Sequence, residues 1–416
     1  MVKEKQLYHN ALYKNWNKLF LGIFIYELGG ILYEFIFIEN FIGRLISLAG
    51  ILIAFFHIIK IPKINPLTKN HFITFIFCLY LSFNIITISR GLLHSNMGGI
   101  LIDPKYFWQY VLPFIIFLKL PPKIFTLLYQ WSFIYIITAL LFCLYNFSDF
   151  YLNASEIMKS MVGWDGYIVN RPQTPCMLSL PICLFLFNWK DLKKTHKIII
   201  CTTFILAILA ALFAGRRSAA ASILFFIFIA FAIKIKQHLG KVIIALIVLY
   251  FIPLNLSKII PDLSETFTVL SERLDSNTRE NVEEDFYKDF KKTSEWIVGR
   301  GMDGTYRSPS VADITDLNRK GIETGYLNII LHGGLLLLIP YLIILIFSIN
   351  KIRKRKELAC NNKSAAIFIF FHLLWLYPGG TPKLGLEFFI LWILISITLS
   401  RNSFYKKVKC PKPESN

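Results

Sequence analysis

The sequence predicts an all-α, polytopic membrane protein with about twelve transmembrane helices and one large extracytoplasmic loop that contains short helices. The chain of 416 residues is 55% hydrophobic, and its mean hydropathy is +0.54. Apolar runs of about 17–22 residues recur along it, and a helix of that length crosses a bilayer. One long polar stretch, 257–322, interrupts these runs and carries 13 of the 26 acidic residues.

The apolar runs define four consecutive parts of the chain. Residues 1–256 hold the first nine spans, 257–322 form the large loop, 323–400 hold the last three spans, and 401–416 form a cytoplasmic tail. The expected spans are 18–37, 41–59, 71–89, 106–120, 124–145, 174–189, 198–214, 218–235, 242–259, 323–349, 365–379 and 384–400.

The distribution of charge predicts the orientation of these spans. The chain carries a formal net charge of +19, and 27 of its 45 Lys and Arg fall in the two termini and in alternate short loops. Such loops face the cytoplasm in membrane proteins, so both termini are expected there and the large loop outside. Because the basic residues lie between apolar spans rather than on one face, no nucleic-acid partner is expected.

The large loop contains one predicted amphipathic helix, over residues 277–296. Val282, Phe286 and Phe290 recur every four residues with charges between them, and Asn277 with Glu280 fits an N-terminal cap. Two placements remain open: the helix lies over the outer mouth of the bundle, or it packs on the rest of the loop.

Four arginines are expected on the outer side, at Arg171, Arg216, Arg217 and Arg300. The guanidinium group is always protonated and presents a fork of donors that matches phosphate oxygens. The alternative is an ordinary arginine that extends to the membrane interface. Gly299–Gly304 fits the GxGxxG spacing, but no strand precedes it, so a dinucleotide fold is not expected.

The tenth span carries a glutamate at its outer end and a histidine deeper in the helix. Glu323 stands at its outer end, where a partly dehydrated carboxylate would serve as a general base. The alternative is a helix N-terminal Glu that complements the helix dipole. His332 lies nine residues further on, about 13 Å deeper and on the opposite face, so a core histidine is expected there.

Acidic residues also occur within the expected spans. Glu27 and Glu34 share one face of the first span, and Arg44 at the start of the second span is a candidate partner. Glu387 lies in the last span. A structural ion pair is expected for the first group, and a proton-coupled transporter is the functional alternative.

No cofactor or metal site is expected, because the sequence has no Cys/His cluster with zinc spacing.

Three short patches stand out in order along the chain: Gly215–Ser218, Trp296–Gly304 with its Gly-Arg-Gly, and Glu323–Leu327 followed by Gly334. Together they resemble the O-antigen polymerase and O-antigen ligase superfamily of bacterial inner-membrane glycosyltransferases. The third matches the ligase spacing His-Asn-x-x-Leu-x6-Gly, but Glu and Thr replace the His and Asn. This departure favours a polymerase, with a ligase of the same fold as the alternative.

The resemblance implies glycosyl transfer outside the bacterial inner membrane, without a metal. The donor and the acceptor would be glycans linked to undecaprenyl pyrophosphate. Arg216 or Arg217, together with Arg300, would hold the pyrophosphate, and Glu323 would activate the acceptor hydroxyl.

Further residues and partners follow from the same resemblance. The candidate substrate contacts are Arg171, Tyr326 and Arg279, and Tyr306 is a further aromatic candidate for sugar stacking. Membrane lipids, a chain-length regulator and a flippase are the expected partners. A transporter or flippase of lipid-linked oligosaccharides is the alternative from a different functional class; it would explain the number of spans but not the asymmetric polar loop.

Overall fold

The protein is mostly helical, as the apolar runs predict. The computed structural model describes residues 2–35, 40–63, 71–92, 107–152, 173–213, 217–234, 278–310, 317–354, 362–377 and 383–399. The first eight α-helices are α1 Val2–Phe35, α2 Asn40–Lys60, α3 His71–Leu92, α4 Phe107–Val111, α5 Ile124–Tyr145, α6 Thr174–Ser179, α7 Lys194–Phe213 and α8 Arg217–Lys234. Helices α4 and α6 continue as the 3₁₀ segments Leu112–Phe117 and Leu180–Asp191, and Ser148–Leu152 forms a short π-helical segment.

The polar stretch and the last spans supply the remaining elements. These are α9 Thr278–Asp289, α10 Thr293–Val298, β1 Tyr306–Arg307, β2 Asn318–Arg319, α11 Gly325–Lys354, α12 Asn362–Trp375 and α13 Leu386–Leu399. The two strands pair antiparallel, with Tyr306 opposite Arg319 and Arg307 opposite Asn318.

Within the described residues, five helices are long and apolar enough to cross a membrane. They are Ile42–Lys60, His71–Leu92, Ile124–Tyr145, Lys194–Phe213 and Gly325–Ile352, and each coincides with an expected span. Shorter apolar helices occupy five more expected spans, at Phe107–Phe117, Thr174–Leu186, Ala219–Ile229, Ser364–Trp375 and Leu386–Leu399. Residues 18–35 of the expected span 18–37 belong to the longer α1, and residues 36–37 lie outside the described residues, as does the expected span 242–259.

The chain forms two compact units. Residues 1–33, 37–128 and 278–416 make the first, and residues 34–36 and 129–277 make the second. In the second unit, α6 packs on α7, where the Cys176 thiol donates to the Ala207 carbonyl at 3.2 Å. The Tyr151 hydroxyl donates to the Leu206 carbonyl at 2.9 Å, which ties the π-helical segment to the same helix.

Helix α13 lies at the centre of the first unit. All 14 of its residues are buried, which fits a helix that is apolar on every side. Its Trp392 ring stacks on Tyr80 of α3 at 5.7 Å between centroids, and Phe389 packs against Phe20 of α1 at 4.9 Å. The short C-terminal helix is therefore a core element around which longer helices pack.

Two acidic side chains lie at the start of α13, the half-buried Glu27 and the buried Glu387. A carboxylate oxygen of Glu27 accepts a hydrogen bond from the Leu386 backbone N–H at 3.1 Å, so Glu27 caps this helix from α1. The imidazole Nδ1 of His372, on α12, lies 3.4 Å from the Glu387 carboxylate, and both side chains are buried. Capping is thus one structural role of Glu27; the side chain of Glu34 lies outside the described residues.

Helix α11 is broken within its apolar stretch. Gly334 has φ +67° and ψ −171°, a conformation that is open almost only to glycine. The break leaves the carbonyls of Leu331 and His332 to accept hydrogen bonds from the backbone of Arg300 and Gly301, at 2.7 and 2.8 Å. Non-helical backbone at membrane depth is tolerated where such partners come from the protein itself.

Glycine at position 334 is therefore expected to be required for folding. In Gly334→Ala, a Cβ would collide with the Ile297 carbonyl, and the backbone conformation alone costs about 1–3 kcal/mol. We expect thermal unfolding in detergent to occur at a clearly lower temperature than for the unchanged protein. Gly30→Ala is the matched control, because nothing lies within 4 Å of a Cβ at that position of α1. Equal melting temperatures for the two variants would contradict the role given to the break.

Candidate functional site

The described part of the polar stretch, residues 278–310 and 317–322, is called the polar segment below, and it folds around a small aromatic core of its own. Val282, Phe286 and Phe290 are 3%, 0% and 1% exposed, which confirms the predicted apolar stripe. Phe286 packs against Trp296 and Tyr306, with centroids 5.9 and 5.5 Å away. The stripe thus packs on the rest of the segment, which is the second of the two placements expected from the sequence.

The single helix expected over 277–296 is wrong, because the chain forms α9 and α10 with a break at 290–292. Side chains satisfy the carbonyls at the end of α9: the Trp296 indole N–H donates to the Phe290 carbonyl at 2.8 Å, and Arg300 donates to the Asp289 carbonyl at 3.2 Å. Because carbonyls at a helix end lack partners within the helix, these bonds stabilise the break. Asn277, the expected cap, lies outside the described residues.

The segment docks on the broken helix through the loop Gly299–Met302. Besides the two bonds to α11, the Met302 N–H donates to the Thr87 carbonyl of α3 at 3.0 Å, and the Arg90 guanidinium donates to the Val298 carbonyl at 2.7 Å. His332 donates its Nδ1–H to the Gly301 carbonyl at 3.1 Å. His332 is buried, as expected, and one of its roles is to hold the loop.

Close contact explains the glycine at position 299. Gly299 has φ +65°, and a Cβ there would collide with the His332 carbonyl. Gly299 therefore allows two backbones to meet, that of the residues after α10 and that of the break in α11.

Arg300 is bound within the segment by charge and by backbone. Its Nη1 donates to Asp289 Oδ2 at 2.5 Å and to the Thr305 carbonyl at 2.6 Å. Its Nη2 donates to Glu295 Oε2 at 3.1 Å as well as to the Asp289 carbonyl, and the guanidinium lies 4.9 Å from the Phe290 ring. Burial opposes the charge of Arg300, but hydrogen bonds and charge from Glu295 and Asp289 outweigh it and raise the pKa of Arg300.

This arrangement limits what Arg300 offers a ligand. A guanidinium has five N–H donors, and the contacts above use the four at Nη1 and Nη2. Two carboxylates also neutralise its charge. In this conformation Arg300 organises the docked loop and has only Nε–H left for a phosphate.

Asp285 joins α9 to the chain after β1. Its Oδ2 accepts from the Ser308 hydroxyl at 3.1 Å, from the Ser310 N–H at 3.0 Å and from the Ser310 hydroxyl. Burial favours the neutral carboxyl, but these three hydrogen bonds outweigh that effect and lower the pKa of Asp285.

Glu323 lies two residues before α11, at the foot of the polar segment. Its side chain is exposed rather than partly buried as expected, because its neighbours Ile322 and Thr324 point inward instead. The Thr324 hydroxyl donates to the Glu283 carboxylate, and the Ile322 N–H donates to Asn328 Oδ1 at 3.1 Å. Both sides of Glu323 are thus fixed while its carboxylate remains accessible to a substrate.

Arg319 is a candidate that the sequence analysis missed. It lies opposite Tyr306 in the β1–β2 pair, and the charges of Arg319 and Glu323 both act on the Tyr306 hydroxyl. Its Nη1 is buried and has no hydrogen-bond partner among the described residues. No motif marks Arg319; it lies four residues before Glu323 in the chain, and the hairpin register sets it opposite Tyr306.

Of the other expected substrate contacts, the two tyrosines have described side chains and the arginines do not. The Tyr326 hydroxyl donates to the Leu373 carbonyl of α12 at 2.7 Å, which directs that side chain into the helix packing. Tyr306 is only 1% exposed, so its ring is a core element and not a stacking surface. Arg279 lies in the first turn of α9 and Arg217 begins α8, but their side chains lie outside the described part, as do Arg171 and Arg216 altogether.

Within the described part of the chain, no group of three or more His, Cys, Asp or Glu side chains is placed to hold a metal ion.

Arg300→Lys is expected to loosen the docked loop, because a single ammonium group cannot reproduce four donors in a planar fork. Amide hydrogen exchange at residues 300–302 should become about tenfold faster, since about 1–2 kcal/mol of charge-assisted bonding is lost at this partly buried site. Lys288→Ala is the control, because its pair with Glu284 is exposed. Unchanged exchange in Arg300→Lys would contradict the structural role of Arg300.

The pKa of Asp285 predicts an acid-sensitive segment. Because its folded pKa lies below the ordinary value of 3.8, the ionised carboxylate stabilises the fold above about pH 4, and this stabilisation is lost as the pH falls toward the folded pKa. Asp285→Asn should therefore flatten the acid limb of a stability–pH curve followed by Trp296 fluorescence. An unaltered acid limb would exclude Asp285 as its source.

The geometry thus joins a long apolar helix, a docked polar segment and an exposed carboxylate. Comparisons with protein-family models, curated proteins and solved structures find no match for this chain.

Proposed function

We propose that the protein is a polysaccharide polymerase that extends a lipid-linked glycan at the outer face of the bacterial inner membrane. The substrates are a growing glycan on undecaprenyl pyrophosphate and one new lipid-linked repeat unit of an O-antigen or a capsule. The observation that carries the proposal is the position of Glu323: it is exposed, next to a membrane-crossing helix, and fixed on both sides by buried neighbours.

In the proposed reaction, Glu323 accepts the proton of the acceptor sugar hydroxyl as that oxygen attacks the anomeric carbon of the donor. The bond from this carbon to the pyrophosphate oxygen breaks, and its electron pair leaves with undecaprenyl pyrophosphate. Pyrophosphate is a good leaving group, so this step uses no separate general acid. The enzyme supplies a base and a positive environment, which are the main contributions of a metal-independent transferase.

Arginine contacts to the pyrophosphate follow from the same proposal. Arg216 and Arg217 keep this role on the strength of their sequence alone, with Arg171 and Arg279 as further substrate contacts. Arg319 takes the role first expected of Arg300, because Arg319 is only half-buried and lies four residues before Glu323, whereas Arg300 is held by Asp289 and Glu295. Arg300 then acts as a positioning residue for the loop.

The proposal includes a topology that the sequence predicts. Twelve spans, two cytoplasmic termini and an extracytoplasmic segment at 257–322 place Glu323 where lipid-linked repeat units are polymerised. The five long apolar helices and the polar segment beside α11 support this arrangement. A chain-length regulator and a flippase are the proposed partners.

A transporter of lipid-linked oligosaccharides is the second candidate. The observation that favours it is the buried group of His372 and Glu387, with Glu27 capping the same helix. Ionisable residues within membrane helices are a common feature of proton-coupled transport. The docked polar segment favours the polymerase, because transport does not require it.

The first test is a surface-polysaccharide gel of a strain that lacks the gene, compared with the same strain carrying it. We expect the ladder to collapse to a single repeat unit on the lipid anchor, because ligation and export continue without polymerisation. Loss of all surface glycan, the single repeat included, would contradict the polymerase and favour the ligase or the transporter. Those two differ in the side of the membrane on which lipid-linked glycan accumulates.

Glu323→Gln should abolish chain extension while the protein remains inserted, because an amide does not accept the acceptor's proton at neutral pH. We expect a loss of at least about a hundredfold in the initial rate of polymer synthesis, the usual contribution of a general base. Glu284→Gln, an exposed carboxylate of the same segment, should retain normal ladders. Near-normal activity in Glu323→Gln would remove Glu323 as the base.

A further inference from the structure

Three aromatic side chains that the proposed reaction does not use form an accessible surface on the polar segment and at the end of α12. They are Tyr287 of α9, the half-buried Trp296 of α10, and Tyr377, which follows α12. We call these three residues the aromatic platform. Tyr287 and Tyr377 are 51% and 61% exposed. Adjacent aromatic rings that remain exposed beside a candidate active site point to a ligand that covers them.

The rings of the platform that belong to the polar segment are fixed by packing. Tyr287 stacks on Trp296, with 12° between the ring planes and 6.1 Å between the centroids. Trp296 in turn packs edge-on against Phe286 and Phe290 of the aromatic core, at 5.9 and 5.3 Å. The Tyr287 ring is therefore oriented before a ligand arrives, which lowers the entropic cost of binding to it.

Polar groups border the same surface. Partial burial, the carboxylate of Glu283 and the hydroxyl of Tyr377 raise the pKa of Tyr287, which places these three side chains close together. The Tyr287 hydroxyl therefore stays protonated at neutral pH and is able to donate a hydrogen bond. Glu283 adds a carboxylate, which accepts more than one hydrogen bond.

Helix α9 connects the platform to the proposed active site. Glu283 lies one helical turn before Tyr287, a rise of about 6 Å. Its carboxylate accepts the hydrogen bond from the hydroxyl of Thr324, the residue after Glu323. A glycan whose acceptor hydroxyl lies at Glu323 therefore reaches the platform along one face of the polar segment.

The helix packing brings Tyr377 to the same end of the protein. The Tyr326 hydroxyl, three residues after Glu323, donates to the Leu373 carbonyl at 2.7 Å. Tyr377 lies four residues after Leu373, beyond the end of α12. The starts of α9 and α11 and the end of α12 thus surround one region of the surface.

The chemistry of this region selects one class of ligand. A sugar ring has an apolar C–H face, which packs on an aromatic ring, and hydroxyls at its edge, which need donors and acceptors. An acyl chain would dehydrate the Glu283 carboxylate without offering it a hydrogen bond, and a phosphate would meet its like charge. An uncharged sugar ring uses both the rings and the polar border.

We propose that the aromatic platform binds one uncharged sugar ring of the lipid-linked glycan, next to the ring whose hydroxyl lies at Glu323. The inference rests on the proposed polymerase function for the identity of the glycan, and it adds a substrate-binding surface to that function. Tyr287 and Tyr377 supply the stacking faces, Trp296 holds Tyr287 in place, and Glu283 accepts from the sugar hydroxyls.

The test measures binding without turnover. The full-length protein in lipid nanodiscs is titrated with one repeat unit that mild acid has released from its lipid, so the probe carries neither pyrophosphate nor acyl chain. Ligand-observed NMR gives the Kd. We expect Tyr287→Ala to raise the Kd about tenfold, as truncation of a central aromatic contact commonly does, and Tyr287→Phe to keep most of the affinity because the ring face remains.

Tyr145→Ala is the matched control, because Tyr145 ends α5, is 72% exposed and is expected on the same side of the membrane. Its Kd should equal that of the unchanged protein. Tyr377→Ala should also weaken binding, and it keeps the test decisive if Tyr287→Ala folds poorly.

Two results would overturn the platform. One is an unchanged Kd in folded Tyr287→Ala and Tyr377→Ala. The other is no binding of the oligosaccharide to the unchanged protein, as expected if the rings only anchor the chain at the membrane interface. Polymer synthesis from the lipid-linked repeat unit is measured separately. A protein that binds the oligosaccharide at Tyr287 but forms no polymer would support the platform and overturn the polymerase.

Discussion

The docking of Gly299–Met302 on the broken helix α11 is the contact on which the rest of the first unit depends. The break at Gly334 frees two carbonyls, and the N–H groups of Arg300 and Gly301 take them up. Buried backbone groups must be paired, so neither the break nor the loop is stable without the other. This contact fixes the polar segment to the long apolar helix α11, and it thereby fixes the surroundings of Glu323.

Charge is divided between structural and accessible groups around this contact. Arg300, Asp289 and Glu295 neutralise one another within the segment, where they stabilise the end of α9 and the turn into α10. Glu323 is exposed, and Arg319 is half-buried. A group already paired with two carboxylates is poorly suited to bind a second anion, so Arg319 fits the proposed contact to the pyrophosphate better than Arg300 does.

Periodicity predicted the parts of the fold that depend on local composition. The five long apolar helices begin and end within a few residues of the expected spans, and the stripe Val282, Phe286 and Phe290 is buried as expected. The break between α9 and α10 was not predicted, because it is stabilised by Trp296 and Arg300, which come after it in the chain. Local propensity contains no information about such later partners.

The sequence by itself determined the helical class and the positions of the long apolar helices, because these features are contiguous. Only the tertiary structure decided the partners and the exposure of individual side chains. Arg300 is paired within the polar segment, Glu323 is exposed, and Arg319 lies opposite Tyr306. Asn84, Gln109 and Asn328 come from three different helices and line one recess. The reason is physical: pairing of charges and of buried polar groups depends on distances between residues that are far apart in the chain, and a single sequence does not specify those distances.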